Sequence, residues 1–289
     1  MKKFVFIFLF ILTIPPQLFS QISTEEKNAL LDLYHTTNGK DWNTTWDITK
    51  DVSYWYGVTI KNNTVTEINL SMNNLNGYIP SSIQDLTSLK HLNLGFNKLN
   101  KSIPEQITSI TSLETIHLYM NQLEGKLPSS IGKLKNLKEL VLYSNFLTGK
   151  LPSSIYELSN LEILHLSSNK FNGELLSDVK KLNKLTILSL FDNSMMGLIP
   201  VEIGELKKLE ELTFANNLFE GEIPNQLNLL KNLKVLLLNN NNFIGKLNSS
   251  IKMLPKLTVL EYTEMAQINP KSISVNKSTP ITQTTLTPL

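Results

Sequence analysis

The chain has 289 residues and a formal net charge of +2, with 41% hydrophobic and 18% charged residues. That apolar content suffices for a sizeable core, and so small a net charge argues against nucleic acid as a partner. All the basic residues apart from histidine are lysines, so bidentate arginine contacts to phosphate or guanine are excluded. The absence of cysteine excludes disulfides, zinc–thiolate sites and cysteine nucleophiles.

The first twenty residues follow the three-part pattern of a secretory signal. Lys2 and Lys3 precede an apolar run over residues 4–14, and Ser20 is a small residue before the expected cut. The apolar run is too short to span a bilayer comfortably. We therefore expect residues 1–20 to be a signal peptide, with a buried N-terminal helix as the alternative.

Residues 21–64 are predicted to form an N-terminal helical and aromatic cap. Ser23 and Glu26 fit a capping box in which Glu26 reaches back, and apolar residues at helical spacing predict a helix from Thr24 to Thr37. Five aromatic residues follow it: Trp42, Trp46, Tyr54, Trp55 and Tyr56. We interpret them as a plug over the open end of a repeat stack, with an aromatic ligand platform as the alternative.

Residues 65–256 contain eight repeats of 24 residues, without a slip, that follow LxxLxLxxNxLxGxIPxxIxxLxx. The x-L-x-L alternation predicts a short strand with one buried face, and no single unit can cover its apolar positions, so neighbouring units must stack. Each unit has an asparagine at the strand end, where its amide can satisfy backbone groups that lose their sheet partners. We expect these asparagines to form an internal ladder: Asn73, Asn97, Asn121, Asn145, Asn169, Asn193, Asn217 and Asn241.

This unit resembles the plant-specific class of leucine-rich repeats, which occurs in receptor-kinase ectodomains and in secreted inhibitors of cell-wall polygalacturonases. The segment ALLDLYHTTNGKDW…WYGVTI is similar to the cap of that class, in the cysteine-free version of bacterial and protist secreted proteins. The resemblance covers about residues 24–260. It implies an α/β fold, a right-handed curved solenoid with a parallel β-sheet on the concave face and short helical or irregular segments on the convex face. It also implies that the concave face binds proteins or peptides.

The chain departs from the family at several positions. Lys101 replaces a turn glycine, and Leu176 and Asn248 replace prolines, which we expect to loosen those turns. The cap cysteines, a transmembrane helix and a kinase domain are missing, so the receptor-kinase role does not carry over. We expect no transmembrane segment after removal of the signal.

The outward positions of the predicted strands contain the candidate binding residues. We expect one patch over units two to six: His91, Phe96, His117, Tyr119, Met120, Tyr143, His165 and Phe191. Exposed aromatic and methionine side chains rimmed by polar ones are typical of interfaces. The alternative is that β-propensity alone favours such residues on a sheet surface. In the later units Asn, Thr and Ala occupy these positions, and we expect them to be merely solvated.

No sequence motif points to catalysis. There is no glycine-rich phosphate loop, nucleophile elbow or HExxH motif, so we predict a protein that is not an enzyme and needs no cofactor. His117 and His165 would lie two strands apart, ~9–10 Å, which without further ligands does not predict a metal site. The lysines of the outer side, mixed with acids, indicate a solvated face, with an anionic glycan or membrane surface as the alternative.

Beyond the eighth unit the repeat pattern fades. We expect residues 257–265 to form a degenerate ninth repeat that serves as a C-terminal cap. Residues 266–289 are rich in Ser, Thr, Pro and Gln, and we expect them to form a flexible tail. The sequence as a whole predicts a secreted or cell-surface, monomeric, non-enzymatic protein that binds a protein or peptide on its concave face. A polysaccharide-binding adhesin and an inhibitor of a secreted hydrolase are the alternatives.

Overall fold

The computed structural model describes residues 22–263, so the predicted signal peptide and tail lie outside the described residues. Helix α1 spans Thr24–Thr36, and the one-turn helix α2 spans Ser249–Lys252. The strands in chain order are β1 (Val58–Lys61), β2 (Thr64–Asn69), β3 (Asn76–Gly77), β4 (His91–Asn93), β5 (Lys98–Leu99), β6 (Thr115–His117), β7 (Glu124–Gly125), β8 (Glu139–Val141), β9 (Phe146–Gly149), β10 (Ile163–His165), β11 (Lys170–Glu174), β12 (Ile187–Ser189), β13 (Ser194–Leu198), β14 (Glu211–Thr213), β15 (Leu218–Glu222), β16 (Val235–Leu237), β17 (Asn242–Ile244) and β18 (Val259–Glu261).

The main sheet has ten strands in the order β1-β2-β4-β6-β8-β10-β12-β14-β16-β18. β1 pairs antiparallel with β2, and every later pair is parallel, with partners 24 residues apart such as His117 and Val141. Neighbouring strands therefore place the same repeat position side by side, about 4.8 Å apart. The predicted α/β repeat solenoid with a parallel sheet is confirmed.

A second parallel sheet, which the sequence analysis did not predict, follows the asparagine of each unit. Its order is β17-β15-β13-β11-β9-β7, and β3 pairs with β5 beside it. The repeat glycines lie in this sheet with positive φ, and side chains of the preceding unit lie across them. A Cβ on Gly221 would lie 2.3 Å from Leu198, and one on Gly173 would lie 2.8 Å from Lys150. At these two positions an added Cβ would force the neighbouring side chain to shift, and glycine also adopts the positive φ most readily.

Opposite the main sheet, each unit returns through a short 3-10 helix or helical turn. In chain order, including two in the N-terminal segment, these are Gly39–Asp41, Val52–Tyr54, Ser81–Asp85, Glu105–Ser109, Ile131–Lys133, Ser153–Glu157, Ser177–Lys181, Val201–Glu205 and Asn225–Leu229. The repeat leucines and isoleucines fill the space between these segments and the sheets, where they form one continuous buried cluster. This is the core that single units could not form alone.

The turns at the two missing prolines keep their shape, contrary to the expected loosening. Leu176 has φ −82° and ψ 156°, close to an ordinary proline, and its N–H donates to the Tyr156 hydroxyl at 3.0 Å. Asn248 accepts from the N–H of Ser250 and caps α2. At Leu176 the Tyr156 hydroxyl binds the backbone N–H that a proline would lack, and at Asn248 the side chain caps the helix. Both turns therefore keep their shape without a proline ring.

Each asparagine of the ladder joins its own unit to the one before it. The Asn145 Oδ1 accepts from the Leu123 N–H at 3.0 Å, and its Nδ2 donates to the carbonyls of Leu118 and Leu142 at 3.0 Å. The same pattern recurs at Asn121, Asn169, Asn217 and Asn241. Each of these side-chain amides therefore hydrogen-bonds to main-chain groups of two consecutive units and so links those units.

The first asparagine of the ladder binds the N-terminal segment instead. Asn73 Oδ1 accepts from the Thr44 N–H at 2.7 Å, and its Nδ2 donates to the Thr44 carbonyl at 3.2 Å. Beside this contact Trp46 stacks on Trp55 at 4.6 Å and meets Trp42 edge-on at 4.8 Å between ring centroids. The three tryptophans are buried, which favours a plug over a ligand platform for them. Tyr54 and Tyr56 are exposed, so they are not part of the plug.

Helix α1 begins and ends near the predicted residues, but its capping box is incomplete. The Ser23 hydroxyl accepts from the Glu26 N–H at 3.1 Å. The Glu26 carboxylate does not reach back to Ser23. Its Oε1 accepts from the N–H of Val65 at 3.0 Å and so fastens the helix to the first repeat. Among residues 22–263, no helix combines the length and apolar character needed to cross a bilayer.

Candidate functional site

The candidate site lies on the solvent-facing side of the ten-stranded sheet, called here the sheet face. Four columns of outward residues run along it, one residue per unit in each. The flank column starts the strands: Glu67, His91, Thr115, Glu139, Ile163, Ile187, Glu211 and Val235. The next column holds His117 and His165, the third Tyr119 and Tyr143, and the fourth Phe96 and Met120. The predicted patch residues therefore share one surface.

Four residues of this surface form a continuous stack, called here the aromatic ladder: Gly95, Tyr119, Tyr143 and His165. The rings of Tyr119 and Tyr143 are 4.9 Å apart and nearly parallel, with 10° between their planes. His165 lies 4.6 Å beyond Tyr143. At the other end the Tyr119 ring lies over Gly95, where a Cβ would be 2.5 Å from the ring. The ring spacing matches the strand spacing, so the rings stack on each other and turn their edges to solvent.

Polar contacts hold the flank beside the ladder. The Nε2 of His117 lies 2.8 Å from a carboxylate oxygen of Glu139, one strand along. The Nδ1 of His91 lies 3.1 Å from the Thr115 hydroxyl. His91 thus lies one strand before Tyr119, the first of the stacked rings, and belongs to the flank column rather than to the stack.

The fourth column was predicted as strand, but its residues form the turn that ends each strand. All eight have positive φ, between 51° and 57°. In units four to eight they are Ser144, Ser168, Asp192, Asn216 and Asn240, mostly small polar residues that tolerate this conformation relatively well. Units one to three place Met72, Phe96 and Met120 there, all exposed. Bulky side chains in the left-handed region cost roughly 1 kcal/mol or more each, a strain that is often found at functional sites.

The later units are solvated only in part, since Asn240 is exposed whereas Thr213 and Ala215 are buried, and burial already begins at Ser167 in unit five. Ser167, Ser189 and Thr213 are buried and form a chain of hydroxyl hydrogen bonds, and Ala215 is also buried. Their neighbours on the sheet cover these small side chains. Phe191 lies one unit beyond the end of the aromatic ladder and, among the described residues, is not stacked on it. The connected part of the predicted patch is therefore the aromatic ladder with His117, and Phe96 and Met120 directly follow the ladder residues Gly95 and Tyr119 in the chain.

The electrostatics of the sheet face follow from partial burial. Burial, with the neighbouring Tyr119, raises the pKa of Tyr143, and burial lowers the pKa of His165, so both side chains are favoured in their neutral forms. Burial also raises the pKa of Glu211, which lies between Ile187 and Val235 in the sheet register. Within residues 22–263, no three His, Asp or Glu side chains come together as metal ligands.

Comparison with protein families identifies the repeats. A family model described as leucine rich repeat matches residues 63–123 and 111–171. The chain thus contains leucine-rich repeats and folds as a leucine-rich repeat solenoid. No curated protein matches the sequence.

Solved structures with this fold include plant receptor ectodomains. The ectodomain of the receptor kinase GASSHO1/SCHENGEN3 from Arabidopsis thaliana, solved with CASPARIAN STRIP INTEGRITY FACTOR 2, is 31% identical with a TM-score of 0.79 over 83% of this chain and 30% of that chain. The Arabidopsis HAESA ectodomain, solved with an IDA peptide hormone, is 28% identical with a TM-score of 0.74 over 83% and 41%. A plant ice-binding protein is 25% identical with a TM-score of 0.74 over 84% and 81%. The chain spans less than half the length of either receptor ectodomain.

Proposed function

We propose that this protein is a secreted, non-enzymatic binding protein that recognises a peptide, or an extended segment of a protein, on its sheet face. The observation that carries the proposal is the aromatic ladder with its strained neighbours Phe96 and Met120. Phe96 and Met120 are exposed and left-handed at a turn where Ser and Asn suffice in later units, and such strain is often found at functional sites. The similar HAESA ectodomain was solved with a peptide hormone, which supports the same use of this fold here.

The ring geometry favours a peptide over a polysaccharide. Sugars bind aromatic side chains through open ring faces, whereas Tyr119 and Tyr143 cover each other's faces and are closed off by Gly95 and His165. What the ladder offers is ring edges and hydroxyl groups. These suit the alternating polar and apolar groups of a peptide backbone. The three strand spacings from Gly95 to His165 cover ~14 Å, enough for about four extended residues.

A library of random 12-residue peptides, selected against the purified protein, tests this function. We expect selected peptides whose affinity falls by roughly ten-fold to a thousand-fold when Tyr119 and Tyr143 are both replaced by Ala, because interface aromatics often dominate binding. The matched control replaces Met196 and Leu218 by Ala. Both are exposed neighbours in the second sheet, so their loss should leave affinity within two-fold. Selection of no peptide, or equal losses in both variants, would count against the proposal.

A further inference from the structure

The sheet face has a charge pattern that the rest of the molecule does not share. The chain has 27 lysines, but none stands in the four outward columns of the eight repeats. The same columns hold four carboxylates: Glu67, Glu139, Asp192 and Glu211. Although the whole chain is slightly basic, this surface is acidic.

Three of these carboxylates are evenly spaced. Glu67, Glu139 and Glu211 each occupy the same register position in the flank column, three units apart. Three strand spacings make a separation of ~14 Å, so they act as separate charges rather than as one cluster. The middle one, Glu139, contacts His117, whose ring centroid lies 6.3 Å from that of Tyr119 in the aromatic ladder.

The hydrogen-bonding partners of two of these carboxylates in the folded chain are a hydroxyl and a histidine rather than a lysine. Glu67 accepts a hydrogen bond from the Thr59 hydroxyl at 3.4 Å, and Glu139 is paired with His117. Glu211 is half-buried between Ile187 and Val235, and burial raises its pKa, as expected for a carboxylate short of a partner.

The lysines that border the sheet face are already paired. They stand one position before the flank column and bind acids of that same border. Lys90 and Lys138 bind Glu114 at 3.3 and 2.7 Å, and Lys234 binds Glu210. Each of these lysines thus has an acidic partner on the border itself, although Lys138 also lies within the electrostatic reach of Glu139.

We propose that the peptide bound on the sheet face is basic and places two lysine or arginine side chains four residues apart against Glu139 and Glu211. This inference rests on the proposed function. An extended chain rises ~3.3 Å per residue and turns alternate side chains to the same side, so residues i and i+4 are ~13 Å apart on one face. That distance matches the separation of the two carboxylates. Charge complementarity of this kind selects partners and steers their approach.

The test uses defined fluorescent 12-residue peptides. One has two lysines four residues apart in a Ser/Thr/Leu background, one has them two residues apart, and one has glutamates in place of the spaced lysines. We expect the first to bind at least five-fold more tightly than the second and at least ten-fold more tightly than the third, with affinity that falls as salt rises.

Charge-reversed variants locate the contact. Glu139→Lys with Glu211→Lys should weaken the spaced-lysine peptide at least ten-fold and improve binding of the glutamate peptide. The control, Glu220→Lys with Glu222→Lys, makes the same charge change on the second sheet and should alter affinity less than two-fold. The milder pair Glu139→Gln and Glu211→Gln should also weaken binding, and it serves if charge reversal prevents folding.

The outcomes separate this inference from the proposed function. If library-selected peptides depend on Tyr119 and Tyr143 but show no excess of basic residues, the charge inference is wrong while the proposed function stands. If control and sheet-face charge variants weaken the lysine peptide equally, binding is non-specific and the inference is again wrong. If no peptide binds at any charge, both fail together.

Discussion

Two ladders run along the same sheet, and they differ in how they vary from unit to unit. The asparagine ladder lies at the strand ends inside the molecule and has the same residue in all eight units. The aromatic ladder lies on the opposite side of the strands and exists only between units two and five.

The difference separates the residues that stabilise the solenoid from those that we propose to contact a partner. The asparagine must meet backbone groups that are identical in every unit, so one side chain serves throughout. Apart from the positive φ of the fourth column, the outward positions have no such shared requirement, and their residues change along the stack. Aromatic stacking and left-handed Phe and Met are therefore properties of this protein rather than of its repeat.

The largest effect on stability is expected from a substitution in the buried asparagine ladder. Replacing Asn145 by Leu removes three hydrogen bonds and leaves backbone groups of units three and four unpaired in a buried site. We expect a loss of ~1–3 kcal/mol in the free energy of unfolding, measured by urea denaturation. Asn242→Leu, at an exposed position, is the control and should cost far less. Equal losses would mean that the ladder hydrogen bonds contribute little.

A single outward substitution should raise stability and lower binding at once. Asn at position 96 tolerates the left-handed backbone that strains Phe96, so Phe96→Asn should stabilise the fold by about 1 kcal/mol. The same change removes an exposed ring beside the ladder, and affinity for a selected peptide should fall several-fold. Ser144→Asn, in the same column, should change neither. A destabilised Phe96→Asn variant would show that the ring is there for packing.

The smallest effect should appear at Glu211 and depend on pH. Its folded pKa is raised by burial, so the ionised form destabilises the fold once the pH exceeds the ordinary value of about 4.3. Glu211→Gln should therefore stabilise the protein at pH 7 by less than ~1 kcal/mol, and the gain should vanish as the pH falls below about 4. Thermal melts of both proteins from pH 3.5 to 7.5 measure this. A gain that is constant with pH would contradict the burial argument.

Much of this architecture follows from the sequence because periodicity constrains it repeatedly. The strand register, the buried leucines and the hydrogen bonds of Asn145 all depend on one unit that recurs. The second sheet was not predicted, because its short strands contain or adjoin the turn glycines and lack an alternating apolar pattern. The hydrogen bond from Val65 to Glu26 was also beyond reach, because it joins residues that only the fold brings together.

The sequence predicted which residues lie at the candidate site, but not how they are arranged there. Alternation along the strands brought Tyr119, Tyr143 and His165 to one surface. It could not show that Gly95 leaves room for a ring, or that the fourth column turns left-handed. The small polar residues at that column in units four to eight were a usable signal for the turn, and Phe96 and Met120 break it. Burial of Ser189 and Thr213 depends on the side-chain orientations of neighbouring residues, which the sequence pattern does not specify.

The most direct test of the division between the two ladders is the affinity of one selected peptide for the folded forms of two variants, one in each ladder. Tyr119→Ala with Tyr143→Ala should stay folded yet lose at least ten-fold in affinity, whereas the folded fraction of Asn145→Leu should keep its affinity within two-fold. Unchanged binding by the tyrosine variant, together with lost binding by folded Asn145→Leu, would contradict the account.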